Sequence, residues 1–355
     1  TCIAEAYQES LPVLFITAHG SREKSELRFE NNQELDPVSI ISGITKFAAN
    51  VDVVGDVSRL LKMACEMALG GRKGPVLLDF SSSLWSQEVD ADVFSGEEWP
   101  NRAEDVEKII DEINEKLALS KRPIILFGDG ARHAISRERL HKIVKRLGIP
   151  VLSSRGSQDL LSGSPYYYGY IGSHGIRYSN FILSKADLII ALGNRLAFPI
   201  DSKSFAPIVK NSQIIRIDID ENEFFRDMPN SVNYVCDVKK VLEELEIAEE
   251  LVGVDSDWVK VCNLLRKELE DCDITQPVKQ ICDYLKKHDK DALFVCDVGN
   301  NEFWFSRAFE RSKRIGTVLY SKSFSALGAG LGRAIGVYYA LRKPVCCVIG
   351  DYGFQ

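Results

Sequence analysis

The sequence is short of basic residues, of histidine and of long apolar runs. Lys and Arg number 44 against 51 Asp and Glu, a formal net charge of −7, so the basic excess that nucleic-acid binding uses is missing. No apolar run approaches the ~18 residues of a membrane-spanning helix, and the first residues carry no secretory pattern. The nine cysteines (Cys2, Cys65, Cys236, Cys262, Cys272, Cys282, Cys296, Cys346 and Cys347) form no Cys-x-x-Cys pair. Their odd count and their places inside apolar segments read as reduced thiols of a cytoplasmic protein, not as a disulfide framework or zinc site. His19, His133, His141, His174 and His288 supply no His-x-x-x-His pair, and no Gly-x-Ser-x-Gly elbow is present. Both absences count against zinc-dependent and serine hydrolases. Internal repeats and low-complexity segments are absent too.

What is present is an ordinary globular composition, 45% hydrophobic and 27% charged over 355 residues, enough chain for two or three domains. Apolar runs at 12–17, 75–79, 123–127, 150–153, 188–192, 214–219, 293–297 and 345–349 predict strands. Between them Val57, Leu60, Leu61, Ala64 and Ala68, and likewise Val106, Ile109, Ile110, Ile113 and Leu117, keep helical spacing. Strands alternating with helices predict an α/β protein with mostly parallel sheets. The aperiodic acidic stretch at 86–104 reads as a linker, with a weaker break near 249–256. The chain opens at Thr1 and stops at Gln355, soon after the strand at 345–349. An α/β unit would place a covering helix there, so the expectation is an excerpt of a longer chain.

Ligands bind at the carboxyl ends of parallel strands, where loop amides and helix N-termini converge. Gly128-Asp129-Gly130 lies at such an end, but His133 stands where a dinucleotide fingerprint has glycine, so a plain tight turn fits equally. Gly328-Ala329-Gly330-Leu331-Gly332 opens a helix through Ile335 and Tyr338; its small residues suit either phosphate approach or helix packing. Gly350-Asp351 puts a carboxylate at a sheet edge, as a metal ligand or as a turn residue.

Taken in order, the segments resemble the thiamine-diphosphate enzymes of the acetolactate synthase type. Ala4-Glu5-Ala6-Tyr7 with Ser10 through Thr17, then Gln33-Glu34-Leu35-Asp36, Ile44-Thr45-Lys46 and Gly74 through Asp79, are similar to the family's pyrimidine-binding domain. Arg122-Pro123, Ala186 through Arg195 and Ile217-Asp218-Ile219-Asp220 are similar to its central domain. Asp297-Val298-Gly299-Asn300, Leu327 through Leu331 and Gly350-Asp351 are similar to its diphosphate-binding domain. The resemblance implies three Rossmann-like parallel-sheet units, the first and last incomplete. They are a pyrimidine-binding part at 1–90, a linker at 91–103, a central domain at 104–250 and a diphosphate-binding part at 256–355.

The resemblance also implies roles. Asp351 would bind Mg²⁺. Gly299, Asn300, Asn301, Ala326, Leu327, Gly328, Gly350, Asp351, Tyr352 and Gly353 would surround thiamine diphosphate. Leu327 would prop the bent cofactor, the other reading being core packing before a helix. The expected catalytic glutamate lies upstream of Thr1, and the other Mg²⁺ ligands lie beyond Gln355. Tyr352 stands where the family usually has glycine, Gly332 where it often has proline, and Ala326 where Thr or Ser is frequent. Tyr352 is in a position to crowd the diphosphate.

Synthases of this type carry FAD on the central domain, and His174, Gly175, Gly193, Asn194, Arg195, Asp218, Ile219 and Asp220 match parts of that site. The acidic pair that often follows the arginine is replaced by Leu196-Ala197-Phe198-Pro199, which leaves open a flavin site or a surface ion pair at Arg195. His19 reads as a strand-end surface histidine. The implied activity is decarboxylation of a 2-keto acid such as pyruvate, with carboligation to a second carbonyl compound. A homodimer or homotetramer is implied because the family builds its site between two chains. The alternatives are a non-catalytic nucleotide-binding α/β module and, more remotely, a nicotinamide oxidoreductase.

Overall fold

The computed structural model describes residues 1–20, 35–89, 105–196, 206–224, 228, 230–247, 256–270, 274–287, 293–314, 316–321 and 324–355. Gln33, Glu34, the 91–103 linker, Ala197-Phe198-Pro199, residues 249–255 of the second break, Cys272 and His288 lie outside them. The chain divides into two compact units, Thr1–Asn101 with Lys322–Ser325, and Arg102–Ser321 with Ala326–Gln355.

The first unit is built on a three-stranded sheet of β1 (Leu14–His19), β2 (Phe47–Val51) and β3 (Val76–Ser81), in the order β1-β3-β2. Both pairings are parallel, with Leu14 and Phe47 each level with Val76. The Val57–Leu69 helix crosses the sheet and buries Leu60, Ala64 and Ala68, one face at the i, i+4, i+8 spacing that the sequence displays. These meet Val51, Val76, Leu78 and Leu84 in a small core.

The end of β1 departs from the sequence reading. His19 is only 8% exposed and is not a surface residue. Its Nδ1 lies 2.8 Å from Asp79 Oδ2 and its Nε2 2.9 Å from Asp52 Oδ1, while Thr17 Oγ1 donates to Asp79 Oδ1 at 2.7 Å. Asp79 on the central strand is fully buried, and a buried carboxylate needs such partners.

The second unit holds two sheets. Six strands, β4 (Pro123–Phe127), β5 (Val151–Ser153), β6 (Tyr167–Tyr170), β7 (Leu188–Leu192), β8 (Gln213–Asp218) and β9 (Ser231–Val235), run in the order β6-β5-β4-β7-β8-β9, all parallel. That is the doubly wound order, reversing direction between β4 and β7. One face is covered by the Val106–Leu119 helix, which buries Ile109, Ile113 and Leu117, and by Arg137–Leu147, which buries Leu140, Ile143, Val144 and Leu147. Asp105 and Ser136 cap these helices by accepting from the backbone N–H of Glu107 and Arg139.

At the β4/β7 reversal the two glycine loops close on each other. Gly130 N–H donates to Gly193 O at 3.2 Å, and a Cβ on Gly193 (φ +57°) would stand 2.8 Å from Gly130 Cα. The Gly128-Asp129-Gly130 glycines therefore serve a tight loop-on-loop contact.

The other sheet comprises β10 (Leu293–Cys296), β11 (Val318–Tyr320) and β12 (Val345–Val348), parallel and ordered β11-β10-β12. Phe294, Phe305, Phe309, Val318 and Tyr320 form its core with Val278, Cys282 and Leu285. Among the described residues the architecture is thus α/β with three sheets, each wholly parallel.

A two-turn 3-10 stretch after β5, Arg155–Leu160, ties the two sheets of this unit together. Asp159 accepts from Arg132 at 2.7 Å and from the Val318 N–H of β11 at 3.1 Å. Gln158 donates to the Tyr320 hydroxyl, and Arg155 pairs with Glu302 at 2.9 Å. Among the described residues no helix is long and apolar enough to cross a membrane.

Candidate functional site

The carboxyl edge of β10 is organised around Asp297, which is 2% exposed. Its backbone N–H donates to Val348 O of β12 at 2.8 Å, which sets the two strand ends level. Its carboxylate accepts the N–H of Gly328 at 3.0 Å through Oδ2 and that of Gly330 at 3.1 Å through Oδ1. The loop entering the Ala329–Leu341 helix is thereby pinned to the strand end. A buried carboxylate taking two amide bonds at a helix start is a charge-assisted cap. The close fit admits only glycine. A Cβ on Gly330 would lie 2.7 Å from Asp297 Cβ, and one on Gly353 would run into Asp297 Oδ2.

Asn301 closes the other side. It lies in the first turn of the Asn300–Ser312 helix, and its Nδ2 donates to Asp297 O at 3.0 Å and Val348 O at 3.4 Å. Its Oδ1 faces both glycines of the adjoining turns, 2.8 Å from where Gly299 would carry a Cβ and 3.5 Å from the same point on Gly350. Gly299, Asn301, Gly328, Gly350 and Gly353 therefore meet around Asp297 at one sheet edge. Asn300 opens the same helix and is exposed, and Ala326 is half-buried before Gly328.

Three expected site residues are solvent-facing. Asp351 is exposed and begins the short Asp351–Phe354 helix, where its Oδ1 accepts from the Tyr352 N–H at 3.0 Å. Tyr352 is 80% exposed and Leu327 76%. The arrangement suits a ligand carrying an anionic diphosphate. It offers glycine turns whose backbone a phosphate can approach, the N-terminus of a 13-residue helix and one accessible carboxylate. Among the described residues no group of three or more His, Cys, Asp or Glu side chains is placed to hold a metal. A lone carboxylate such as Asp351 matches a hard cation that completes its shell with phosphate oxygens.

The residues expected around a flavin lie at the carboxyl edge of the six-stranded sheet but do different things. Gly193 N–H donates to Ile217 O at 2.9 Å, and Asn194 Nδ2 donates to Phe127 O at 3.2 Å. Arg195, 41% exposed in its side chain, faces the buried Glu223 at 3.9 Å. Asp218 accepts from the Asp220 N–H at 3.1 Å, and Asp220 in turn accepts from Asn222. Ile219 sits between them. His174 and Gly175 follow β6, with β5 and β4 between them and β7. The His174 ring stacks on Phe303, centroids 3.8 Å apart and planes 12° off parallel. Burial, then the charges of Arg155 and Arg307, hold His174 below the usual histidine range.

Sequence reasoning missed two organising residues. Asp297 opened a quoted motif, yet nothing local marks its carboxylate as the acceptor for amides 31 and 33 positions away. Arg155 carries no motif.

Comparison with known proteins locates this geometry. The family model described as "Thiamine pyrophosphate enzyme, central domain" matches residues 110–245. The one described as "Thiamine pyrophosphate enzyme, C-terminal TPP binding domain" matches residues 297–355, starting at Asp297. The acetolactate synthase large subunit of Lactococcus lactis is 28% identical over 368 residues, covering all of this chain and 63% of the relative. The probable acetolactate synthase large subunit of Methanocaldococcus jannaschii is 29% identical over 385 residues, again with all of this chain and 63% of the relative. Acetolactate synthase isozyme 1 large subunit of Escherichia coli is 29% identical over 373 residues, with 99% of this chain and 63% of the relative. The chain thus spans about 63% of the length of these curated relatives. None of these matches favours a non-catalytic nucleotide-binding module or a nicotinamide oxidoreductase.

Proposed function

We propose that this chain, which belongs to the thiamine-diphosphate-dependent enzymes of the acetolactate synthase type, acts in decarboxylating a 2-keto acid, pyruvate, and joining the remaining carbon fragment to a second carbonyl compound. The observation that carries this reading is the meeting of Gly299, Asn301, Gly328, Gly350 and Gly353 around buried Asp297. In this reading residues 1–90 form the pyrimidine-binding part, 91–103 the linker, 104–250 the central domain and 256–355 the diphosphate-binding part.

When bound, thiamine diphosphate supplies the electron sink for the carbanion left by loss of CO₂. The chain's own residues bind and orient it. Gly299, Asn300, Asn301, Gly350 and Gly353 would line the diphosphate, with Ala326, Leu327, Gly328 and Tyr352 at its rim. Asp351 would hold Mg²⁺. Asp297 keeps the Gly328–Gly330 amides fixed while the ligand enters, so its own charge is spent on the loop and not on the metal.

FAD is a separate proposal, resting on His174, Gly175, Gly193, Asn194, Arg195, Asp218, Ile219 and Asp220; flavin absorbance in the purified protein would support it and a colourless protein would oppose it. We infer a cytoplasmic homodimer or homotetramer, supported for its compartment by the odd count of nine cysteines and the lack of any Cys-x-x-Cys pair. The main test is calorimetry of the wild-type protein and Asp351→Ala with thiamine diphosphate and Mg²⁺. Saturable heat in the wild type, abolished in the variant, is expected. No saturable heat in the wild type would overturn the reading in favour of a non-catalytic module.

A further inference from the structure

We propose that Arg155, in the central domain, is a positioning residue for the cofactor turn, acting through Glu302. The inference rests on the thiamine-diphosphate reading above and names a residue that reading does not use.

Arg155 opens the Arg155–Leu160 stretch after β5. Its Nη2 lies 2.9 Å from Glu302 Oε1, with the arginine side chain 24% and the glutamate 3% exposed. Its guanidinium also lies over the Phe303 ring, 4.8 Å from the centroid, and 5.8 Å from that of Tyr320. Glu302 and Phe303 directly follow Asn301 in the first turn of the Asn300–Ser312 helix. The Glu302 N–H donates to Gly299 O at 3.1 Å. One side chain of the central domain therefore grips the turn whose asparagine faces Gly350. His174, stacked on Phe303, braces the same turn.

The charges favour positioning over ligand contact. The guanidinium is already paired with a buried carboxylate and lies over the Phe303 ring. A carboxylate in the first turn also suits the positive end of that helix. Removing the arginine leaves the Glu302 charge buried with that ionic partner gone, which is costly unless the residue moves. Any movement of Glu302 shifts the Gly299 carbonyl and Asn301 with it. Asp159 and Gln158 of the same stretch hold Val318 and Tyr320 on β11, so the central domain fixes the sheet while Arg155 sets the turn.

The test compares thiamine diphosphate affinity, at saturating Mg²⁺, of the complete wild-type protein, Arg155→Met, Arg155→Met/Glu302→Gln, and Ile113→Ala. Ile113→Ala is a destabilised control in the far core of the central domain, with Tm recorded for each protein. Arg155→Met is expected to bind about tenfold more weakly, and the double variant to recover to within about threefold of wild type. Ile113→Ala is expected to lose Tm with its affinity unchanged. Equal affinities for wild type and Arg155→Met would overturn the proposal. So would an equal loss of affinity in Ile113→Ala, which would make the effect one of general stability. Absence of binding in the wild type would instead overturn the thiamine-diphosphate reading itself.

Discussion

Asp297 Oδ1 accepts the backbone N–H of Gly330 at 3.1 Å, joining a strand end to a helix start 33 residues along the chain. Its other oxygen takes the Gly328 N–H. Asp297→Ala leaves both amides without an acceptor, at a cost of roughly 2–4 kcal/mol. Asp297→Asn keeps one acceptor oxygen and is expected to lose about half as much. Urea denaturation of the three proteins checks the order, and equal stability of Ala and Asn variants would contradict it.

Gly353 leaves no room for a Cβ beside Asp297 Oδ2. Gly353→Ala is expected to displace that carboxylate and weaken thiamine diphosphate binding at least tenfold, a loss of about 1.4 kcal/mol or more. Gly332→Ala, at a helix position with open space around it, is expected to bind normally. Calorimetry of the two variants side by side separates local crowding from a general effect of removing glycine.

His19 supplies a ring nitrogen to fully buried Asp79. His19→Leu removes that partner and is expected to destabilise the first unit by roughly 3 kcal/mol. Hydrogen exchange gives the readout: amides of β1 and β3 should exchange faster while those of the six-stranded sheet keep their rates. Unchanged exchange in β3 would show that Asp79 does not depend on the imidazole.

Burial pushes the Glu310 carboxyl up to about 7, against the opposing pull of Arg266, Lys313 and the Tyr178 hydroxyl. An unfolded glutamate titrates near ~4.3, so between about pH 4.3 and 7 the folded protein holds the extra proton. That contribution is fully present below the lower value and is lost as pH rises through the upper one. Urea midpoints should therefore fall across this window. Glu310→Gln should flatten the fall, and an identical slope in the variant would assign it to other groups.

How much of this was legible in the sequence follows from where each signal resides. β4, β7 and β8 stand out as unbroken apolar runs because both faces of a parallel strand are covered. β2, β6, β9 and β11 escaped notice. Phe47–Val51 contains two alanines and an asparagine, Tyr167–Tyr170 a glycine, Ser231–Val235 alternates polar with apolar, and Val318–Tyr320 is three residues long. The glycines around the candidate site were legible as motifs, since backbone that approaches a phosphate must lack side chains. The carboxylate that gathers them was not, because its partners are distant in sequence. His19 was misread for the same reason, as both of its partners lie on other strands or their loops.

Among the described residues β11 lies at the edge of its sheet, and an edge strand normally offers unpaired amides and carbonyls to any passing chain. Here the Val318 N–H is taken by Asp159, the Gly316 carbonyl by Arg137 at 2.7 Å, and the Tyr320 carbonyl by Arg333. Three side chains thus occupy the template along which a second molecule would add a strand. Two of them, Asp159 and Arg137, also join the two sheets of this unit, so the same side chains guard the protein against edge-to-edge aggregation.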